Sequence, residues 1–579
     1  MLLHFSVLDL HAYSTFPSPR LWNIQSVSRK LEESKRIFAS LLADKSLPIP
    51  EEIKRFAAQV EFYNDQTDKM ILPCPLKECE VSTALKGVEA SVALAIAQLR
   101  FQFPEGENHV KIDMQHALLF LFMTYIASVD GMTKFDKNVV SKLKATDLNR
   151  AQSDLYRRMS ANLYKTKDDK FYHIHGSLEA TTTLNMIGLP AFMPELNSDY
   201  EKIVDVIQGA VAKYTAAELE AMNNERRQAG VEALKPEQFL ESPHGKALSA
   251  KPSWEIKTLE TSTPPAPFSP VSLASGEKPQ ILKGIKVLEL CRIIAGPTVG
   301  RILAEYGAEV IKVSASDILP DVPFFQVDGN VGKHTTDLNL KDPNDRTIFE
   351  GLLADADIVL DGFRTGAIDR LGYGAEHLAG LGQKRGKGYI YGAENCFGFE
   401  GEWSHRPGWQ QIADCVTGVA WIQGQALGLQ EPMIPPFPKA DYGTGCMVAI
   451  AVLTAVYERA TKGGSYLCTS SLSQYDLFLL KQKQYPAEIW EEILAKQDPT
   501  VRKLRYFDSV DMISRTVLQS MKNVDPNLFS NEKYLDSEYS EGFQGQCKVL
   551  KGVVEMKLCR NGFNCPTRPN GYDKPEWWM

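Results

Sequence analysis

From Gly284 onward, short apolar runs alternate with helical ones, and this alternation narrows the possible folds more than any other feature of the chain. Lys286-Val287-Leu288-Glu289-Leu290 predicts a strand, Pro297 to Tyr306 a helix, and Ala308 to Val313 a second strand. A compact strand–helix–strand unit of this kind makes its two strands parallel. Asp345 to Leu353 follows as a helix, Asp357 to Leu360 as a third strand and Gly388 to Gly392 as a fourth. The expected fold class is α/β, built on a doubly wound parallel sheet. Ligands of such sheets sit beyond the carboxyl ends of the strands, here near residues 292–296 and 362–366, and both stretches contain Gly and Arg.

A second feature is Asp441, in Pro438-Lys439-Ala440-Asp441-Tyr442-Gly443-Thr444-Gly445, directly before an apolar helix expected from about Met447 to Glu458. Two readings stand side by side. Asp is a common helix N-cap and Gly often flanks caps. A carboxylate there is also placed to react, since the glycines let a bulky ligand approach and the N–H groups of a first helical turn stabilise developing negative charge.

Composition limits the classes of function. The 579 residues call for several domains, and 44% hydrophobic with 23% charged residues is ordinary for a globular chain. A net charge of -8 and a pI near 5.8 offer nothing to nucleic acid or anionic lipid. The apolar stretch Ala117 to Val129 is too short to span a bilayer and reads as a buried helix. Ten scattered cysteines fit a reducing compartment, and neither they nor the strand pair His173 and His175 supply a recognisable metal set, so no metal is expected. The first 30 residues contain Ser and Arg without an apolar signal core; the expected location is cytoplasmic, with a mitochondrial one left open.

Five segments are expected: an extension over 1–75, an α/β unit over 76–241, a proline-rich linker over 242–282, the regular core over 283–486, and a segment of unknown role over 487–579. The linker centres on Thr263-Pro264-Pro265-Ala266-Pro267, and Cys547 to Met579 reads as irregular. A partial repeat joins Val92–Leu119 to Ile450–Leu477 at an offset of 358, Val110 falling under Cys468. In that register Asp441 falls on Thr83, which would leave the first copy without a reactive carboxylate.

Residues Gly284 to about Leu480 resemble the class III CoA-transferases, the CaiB/BaiF family. The likeness rests on Gly284 through Pro297 with its Ala-Gly-Pro turn, on Tyr306-Gly307-Ala308-Glu309-Val310-Ile311-Lys312-Val313, on Lys333 to Lys341, on Gly366 to Gly372, on Arg406-Pro407-Gly408-Trp409, and on Asp441-Tyr442-Gly443-Thr444-Gly445. The region from Leu76 to Glu241 looks like a divergent, partial copy. The resemblance implies a Rossmann-like sheet and an enzyme that moves coenzyme A from an acyl-CoA to a carboxylic acid, with Asp441 as the nucleophile that becomes an aspartyl thioester. It assigns Arg292, Ala295, Lys333, Phe363, Arg370 and Arg406 to the CoA side. The N–H groups of Gly443 and Gly445 are then the expected oxyanion donors. It implies a homodimer, or a fused pseudo-dimer if the duplication is real. Two departures from the family pattern, Ser314 in place of an acid and the loop Gly362-Phe363-Arg364-Thr365-Gly366, weaken the expected adenosine contacts.

Three other functions compete. An α-methylacyl-CoA racemase shares the fold but pairs a His with the Asp, and Trp409 stands in that place; indole exchanges no proton near neutral pH. A non-catalytic CoA-binding or scaffolding protein would explain the altered loops but not the intact Asp441 motif. A nicotinamide-dependent oxidoreductase lacks its G-x-G-x-x-G after the first strand.

Overall fold

The computed structural model describes residues 19–64, 70–196, 199–271 and 276–578. Residues 1–18, most of the stretch weighed as a targeting segment, lie outside them. In chain order the elements that build the site are β1 (Val60–Tyr63), α1 (Glu78–Phe101), β2 (Val110–Asp113), α2 (Met114–Phe120), β3 (Ala161–Lys165), β4 (Phe171–His175), β5 (Glu255–Glu260), β6 (Lys286–Leu290), α3 (Ala295–Glu305), β7 (Glu309–Ser314), β8 (His334–Asp337), α4 (Pro343–Asp355), β9 (Ile358–Asp361), β10 (Ile390–Asn395), α5 (Gln410–Thr417), α6 (Lys439–Lys462), β11 (Ser465–Ser471) and α7 (Leu472–Lys481).

The main sheet has seven strands in the order β8-β7-β6-β9-β10-β11-β5. The first six are parallel, and β5 runs antiparallel along β11. Its central strands are buried on both faces, which is why β6 and β9 read as near-continuous apolar runs. The chain builds outward from β6 in one direction and then, from β9, in the other. The loops after these two strands therefore diverge and leave a crevice between them.

Several expectations are corrected. The stretch 242–282 is no free linker: it opens with the helix Pro243–Ser249, adds β5 to the sheet, and then lies along α6, where the Ala266 N–H donates to the Arg459 carbonyl at 3.0 Å. Extended, proline-rich chain is what an edge strand and its exit look like in sequence. The C-terminal segment is also structured. The hairpin Leu535–Ser540 and Gly545–Leu550 pairs with Ser128–Val129, and Glu555–Met556 pairs with β2. The last residues then cover the open edge of β8: the Thr335 N–H donates to Asp573 at 2.8 Å, the Asp573 N–H returns to the Thr335 carbonyl at 2.7 Å, and Trp578 stacks on His334. The predicted buried helix over 117–129 is broken into α2 and Met123–Ile126.

The duplication is visible as β1-α1-β2-α2 against β10-α6-β11-α7, each a parallel strand pair joined through a 24-residue helix and continued by a second helix. The offset of 358 holds where strand meets helix. Asp113 caps α2 and Ser471 caps α7, each accepting from a backbone N–H of the first turn. It fails along the long helices, which start at Glu78 and Lys439, an offset of 361. By place in the helix the counterpart of Asp441 is Glu80 rather than Thr83. Glu80 is buried and accepts from the Tyr485 hydroxyl at 2.7 Å.

Helix α6 is buried nearly all round, as its apolar sequence requires, and packs on both α1 and α3. It is long and apolar enough to cross a membrane, but protein rather than lipid covers it. Its first turn is tied to the first copy: Lys439 pairs with Glu78 at 3.4 Å, and Tyr475 donates to the same carboxylate at 2.7 Å. Gly443 makes room for that tyrosine, since a Cβ there would lie 1.9 Å from the ring. Gly443→Ala must therefore displace Tyr475 and its bond to Glu78; a loss of about 1–3 kcal/mol in urea unfolding is expected, and unchanged stability would contradict the packing.

Candidate active site

The crevice at the ends of β6, β9 and β10 holds a cavity of ≈ 360 Å³. Its walls come from the turn 292–295, the loop 362–365, residues 394–396 and 406–409, and from Ser177 to Thr182 and Gln228 of the N-terminal half. Sequence reasoning placed the ligand at the first two of these. Asp441 lies on the inner wall, where it also borders a second cavity of ≈ 110 Å³.

Asp441 is not an N-cap. Helix α6 begins at Lys439, so Asp441 is its third residue and partly buried. The helix starts early because Phe437, at φ 64°, turns the chain and stacks in the core on Phe122, and Pro438 follows. Across the cavity, Ile293 is held at φ 70°, a costly conformation for a β-branched residue. Two strained residues thus flank one carboxyl, a clustering found at functional sites. Burial pushes the Asp441 carboxyl up from 3.8 to about 7, and burial alone accounts for it. Among the described residues no cation contributes to its shift.

A second carboxyl faces the same space. Glu394, near the end of β10, is pushed up to about 8 by burial first, then by the charges of Asp441 and Asp361, against the opposing pull of the Gly296 amide. Its Oε1 fits where side chains are missing: a Cβ on Gly296 would lie 3.4 Å from it, and one on Gly362 3.0 Å. Asp361 is itself raised to about 6 by burial and accepts from the Tyr391 hydroxyl at 2.8 Å. Burial thus raises both carboxyls toward the neutral range, Glu394 further than Asp441. Sequence reading missed Glu394. The signal was present as an acid ending an apolar strand, beyond the boundary assigned to it.

Trp409 lines both cavities. Its Nε1–H donates to the Ser177 hydroxyl at 2.9 Å, and its ring stacks on His175 at 5.4 Å and 8°. Burial drives the His175 imidazole down to about 3, so it stays neutral. His173 stacks on its other side at 5.5 Å. Among the described residues, no group of three His, Cys, Asp or Glu side chains could hold a metal.

The other expected residues divide. Arg292, Ala295, Phe363 and Arg406 line the larger cavity. Arg406 is committed elsewhere, to Glu220 and to the Gly230 carbonyl at 2.7 Å, so it is a buried brace rather than a solvated turn residue. Lys333 does not reach the cavity: fully buried, it pairs with Glu289 at 2.6 Å and donates to the Pro297 carbonyl at 2.7 Å. Arg370 is exposed and outside the lining. Gly443 and Gly445 lie inside α6, where helical hydrogen bonding occupies their N–H groups, so they cannot serve as oxyanion donors. Their role is close approach; a Cβ on Gly445 would lie 2.7 Å from the Ala295 carbonyl. The departed loop supplies a cation in return: Arg364 lines the cavity with Arg292, whose charge it opposes, and Arg227, outside the lining, opposes Arg364 in turn.

The description "CoA-transferase family III" matches residues 282–511. The acetyl-coenzyme A transferase nodX of Hypoxylon pulicicidum is 32% identical over 542 residues, 91% of this chain and 90% of its own. The chain belongs to CoA-transferase family III. An acyl-CoA transferase of Gibberella moniliformis is 32% identical over 76% of this chain and 77% of its own. Among solved structures, a CaiB/BaiF family protein from Brucella suis aligns over 51% of this chain and 97% of its own, at 18% identity and a TM-score of 0.36. As a family III member the chain is an enzyme, a transferase whose substrate is coenzyme A in the form of acyl-CoA.

Lys333 gives a direct test of structural against ligand roles. Lys333→Met leaves the buried Glu289 carboxylate without its ion-pair partner, and a loss of about 3–5 kcal/mol in chemical unfolding is expected. A stable variant with only a raised KM for acyl-CoA would return Lys333 to the CoA side.

Proposed function

We propose that the enzyme transfers coenzyme A from an acyl-CoA to a carboxylic acid through an aspartyl-CoA thioester on Asp441. The observation that carries this reading is a partly buried carboxylate on the wall of the crevice with no ion-pair partner among the described residues, which leaves its electron pairs free for attack. Asp441 adds to the thioester carbonyl carbon, and the carbonyl electrons move onto oxygen. As the carbonyl re-forms, the C–S bond breaks, giving a mixed anhydride and CoA thiolate. The thiolate then adds to the aspartyl carbonyl and expels the acyl group as its carboxylate. An incoming acid runs the same steps in reverse. No net proton is taken up, and the thioester bond energy is kept throughout.

Each step passes through an oxyanion that needs a donor. With the Gly443 and Gly445 amides occupied, we assign that part to the protonated Glu394, cradled against Gly296 and Gly362. Arg292, Arg364 and Arg227 suit the CoA phosphates and Phe363 suits an apolar part of the cofactor. Because Ser177 to Thr182 and Gln228 close the cavity from within the same chain, we read the molecule as a fused pseudo-dimer with one working site. A solution mass of one chain is expected for the active species, and a mass of two chains would contradict this reading.

The titrations give the test. kcat/KM rises as Asp441 ionises through about pH 7 and falls as Glu394 ionises through about pH 8. Glu394→Gln keeps a hydrogen-bond donor and loses the alkaline limb; Asp441→Asn lowers kcat by about 10⁴-fold or more. Transfer surviving Asp441→Asn, or α-proton exchange with no acid-dependent transfer, would overturn the proposal.

A further inference from the structure

Six residues line both cavities: Ser177, Leu178, Ile293, Ile294, Trp409 and Asp441. Any acyl group that meets Asp441 meets this shared strip. Leu178 and the two isoleucines offer it no polar side chain, and the Trp409 N–H is spent on Ser177. Asp441 is the nucleophile and Glu394 lines only the larger cavity. The hydroxyl of Ser177, from the N-terminal half, is therefore the one side-chain donor left on the strip.

Its polarity is fixed by its neighbour. An indole N–H can only donate, so in the 2.9 Å bond from Trp409 the Ser177 oxygen accepts. The Ser177 backbone N–H goes to the His175 Nδ1 at 2.9 Å. Among the described residues the hydroxyl hydrogen has no acceptor, although Ser177 is half-buried on the wall of both cavities. A hydroxyl whose oxygen already accepts is the stronger donor for it.

The backbone supports the same reading. Ser177 sits at φ 53°, in the left-handed region that favours glycine. A glycine is present in this turn, but one residue earlier, where a Cβ on Gly176 would lie 2.1 Å from the Ser160 hydroxyl oxygen. A side chain is thus kept at the strained position, and the His175 ring that accepts from its N–H also stacks on Trp409 at 5.4 Å. The strand end, the serine and the indole form one unit joining the N-terminal half to the start of α5, which Trp409 precedes.

We propose that Ser177 is a catalytic residue whose hydroxyl donates to the acyl oxygen throughout transfer. The proposal rests on the reading of Asp441 as the CoA-bearing residue. One oxygen of the incoming carboxylate attacks the aspartyl thioester and, as CoA thiolate leaves, becomes the bridging oxygen of the anhydride. The other becomes the acyl carbonyl oxygen. It takes the negative charge when the thiolate adds to the acyl carbon, and it returns to a carbonyl as the aspartate leaves. Ser177 bonds to that second oxygen at each stage and keeps its own proton, while Glu394 serves the oxyanion on the aspartyl carbon.

Steady-state transfer at saturating acyl-CoA, with the acid varied, tests this. Ser177→Gly relaxes the left-handed backbone, so the fold is expected to hold by circular dichroism while kcat/KM for the acid falls about ten- to a hundredfold. Ser177→Ala takes its place if the glycine variant melts early. Trp409→Phe keeps a ring against His175 and removes the N–H. Were Ser177 there only to satisfy that N–H, its loss would cost nothing further in the Trp409→Phe background; a bond to substrate makes it cost about tenfold again. A loss below about threefold in the single variant, or one that vanishes beside Trp409→Phe, would overturn the proposal. If Asp441→Asn leaves transfer intact, the reading of Asp441 fails, and the Ser177 rates still decide whether its hydroxyl meets the substrate.

Discussion

The first turn of α6 is gripped from both halves of the chain, and the rest of the site depends on that grip. Glu78 opens the long helix of the first copy and Lys439 that of the second, and the two side chains pair. Tyr475 donates to the same carboxylate while its ring fills the place of a side chain at Gly443. One turn further on, Gly445 brings α6 against Ala295 at the start of α3. These contacts carry Asp441 to the point where the sheet divides. A side chain at either glycine would push it away from the turn 292–295.

Around that point, charge is separated in a consistent way. Carboxyls without cations occupy the centre, at Asp441, Glu394 and Asp361, and burial raises all three. Cations line the same cavities, Arg292 and Arg364 the larger and Lys134 and Arg158 the smaller. An ion pair at Asp441 would lower its basicity and its reactivity together. Without such a pair burial raises its basicity, and that of the neighbouring Glu394 further.

Much of the fold was legible because its signals are local. The alternation from Lys286 onward, the Arg292 turn and the Asp441 motif all lie within short windows, and the structure brings both stretches named for the ligand to one cavity. The failures are of another kind. The pairing of Lys333 with Glu289 spans 44 residues, and nothing near Lys333 announces it, although an acid inside an apolar strand implies a hidden partner. The proline-rich stretch reads as free chain because an edge strand needs no apolar alternation. The early start of α6 depends on Phe437 finding Phe122 in the other half, and the final residues gain structure only against β8. The repeat was found in the right register at the strand-to-helix junction and in the wrong one along the long helices, where unequal connections shift it by three residues.

The central claim is that Asp441 carries coenzyme A in the course of turnover. The most direct measurement is the intact and peptide mass of the enzyme mixed with acyl-CoA and no acceptor acid, then reduced with borohydride. A thioester is reduced to the alcohol, so the account predicts a loss of about 14 Da, one oxygen replaced by two hydrogens, on the peptide containing Asp441, dependent on acyl-CoA and prevented by adding acceptor before reductant. An unmodified Asp441 peptide during demonstrated CoA transfer, or the same change on another residue, would contradict it.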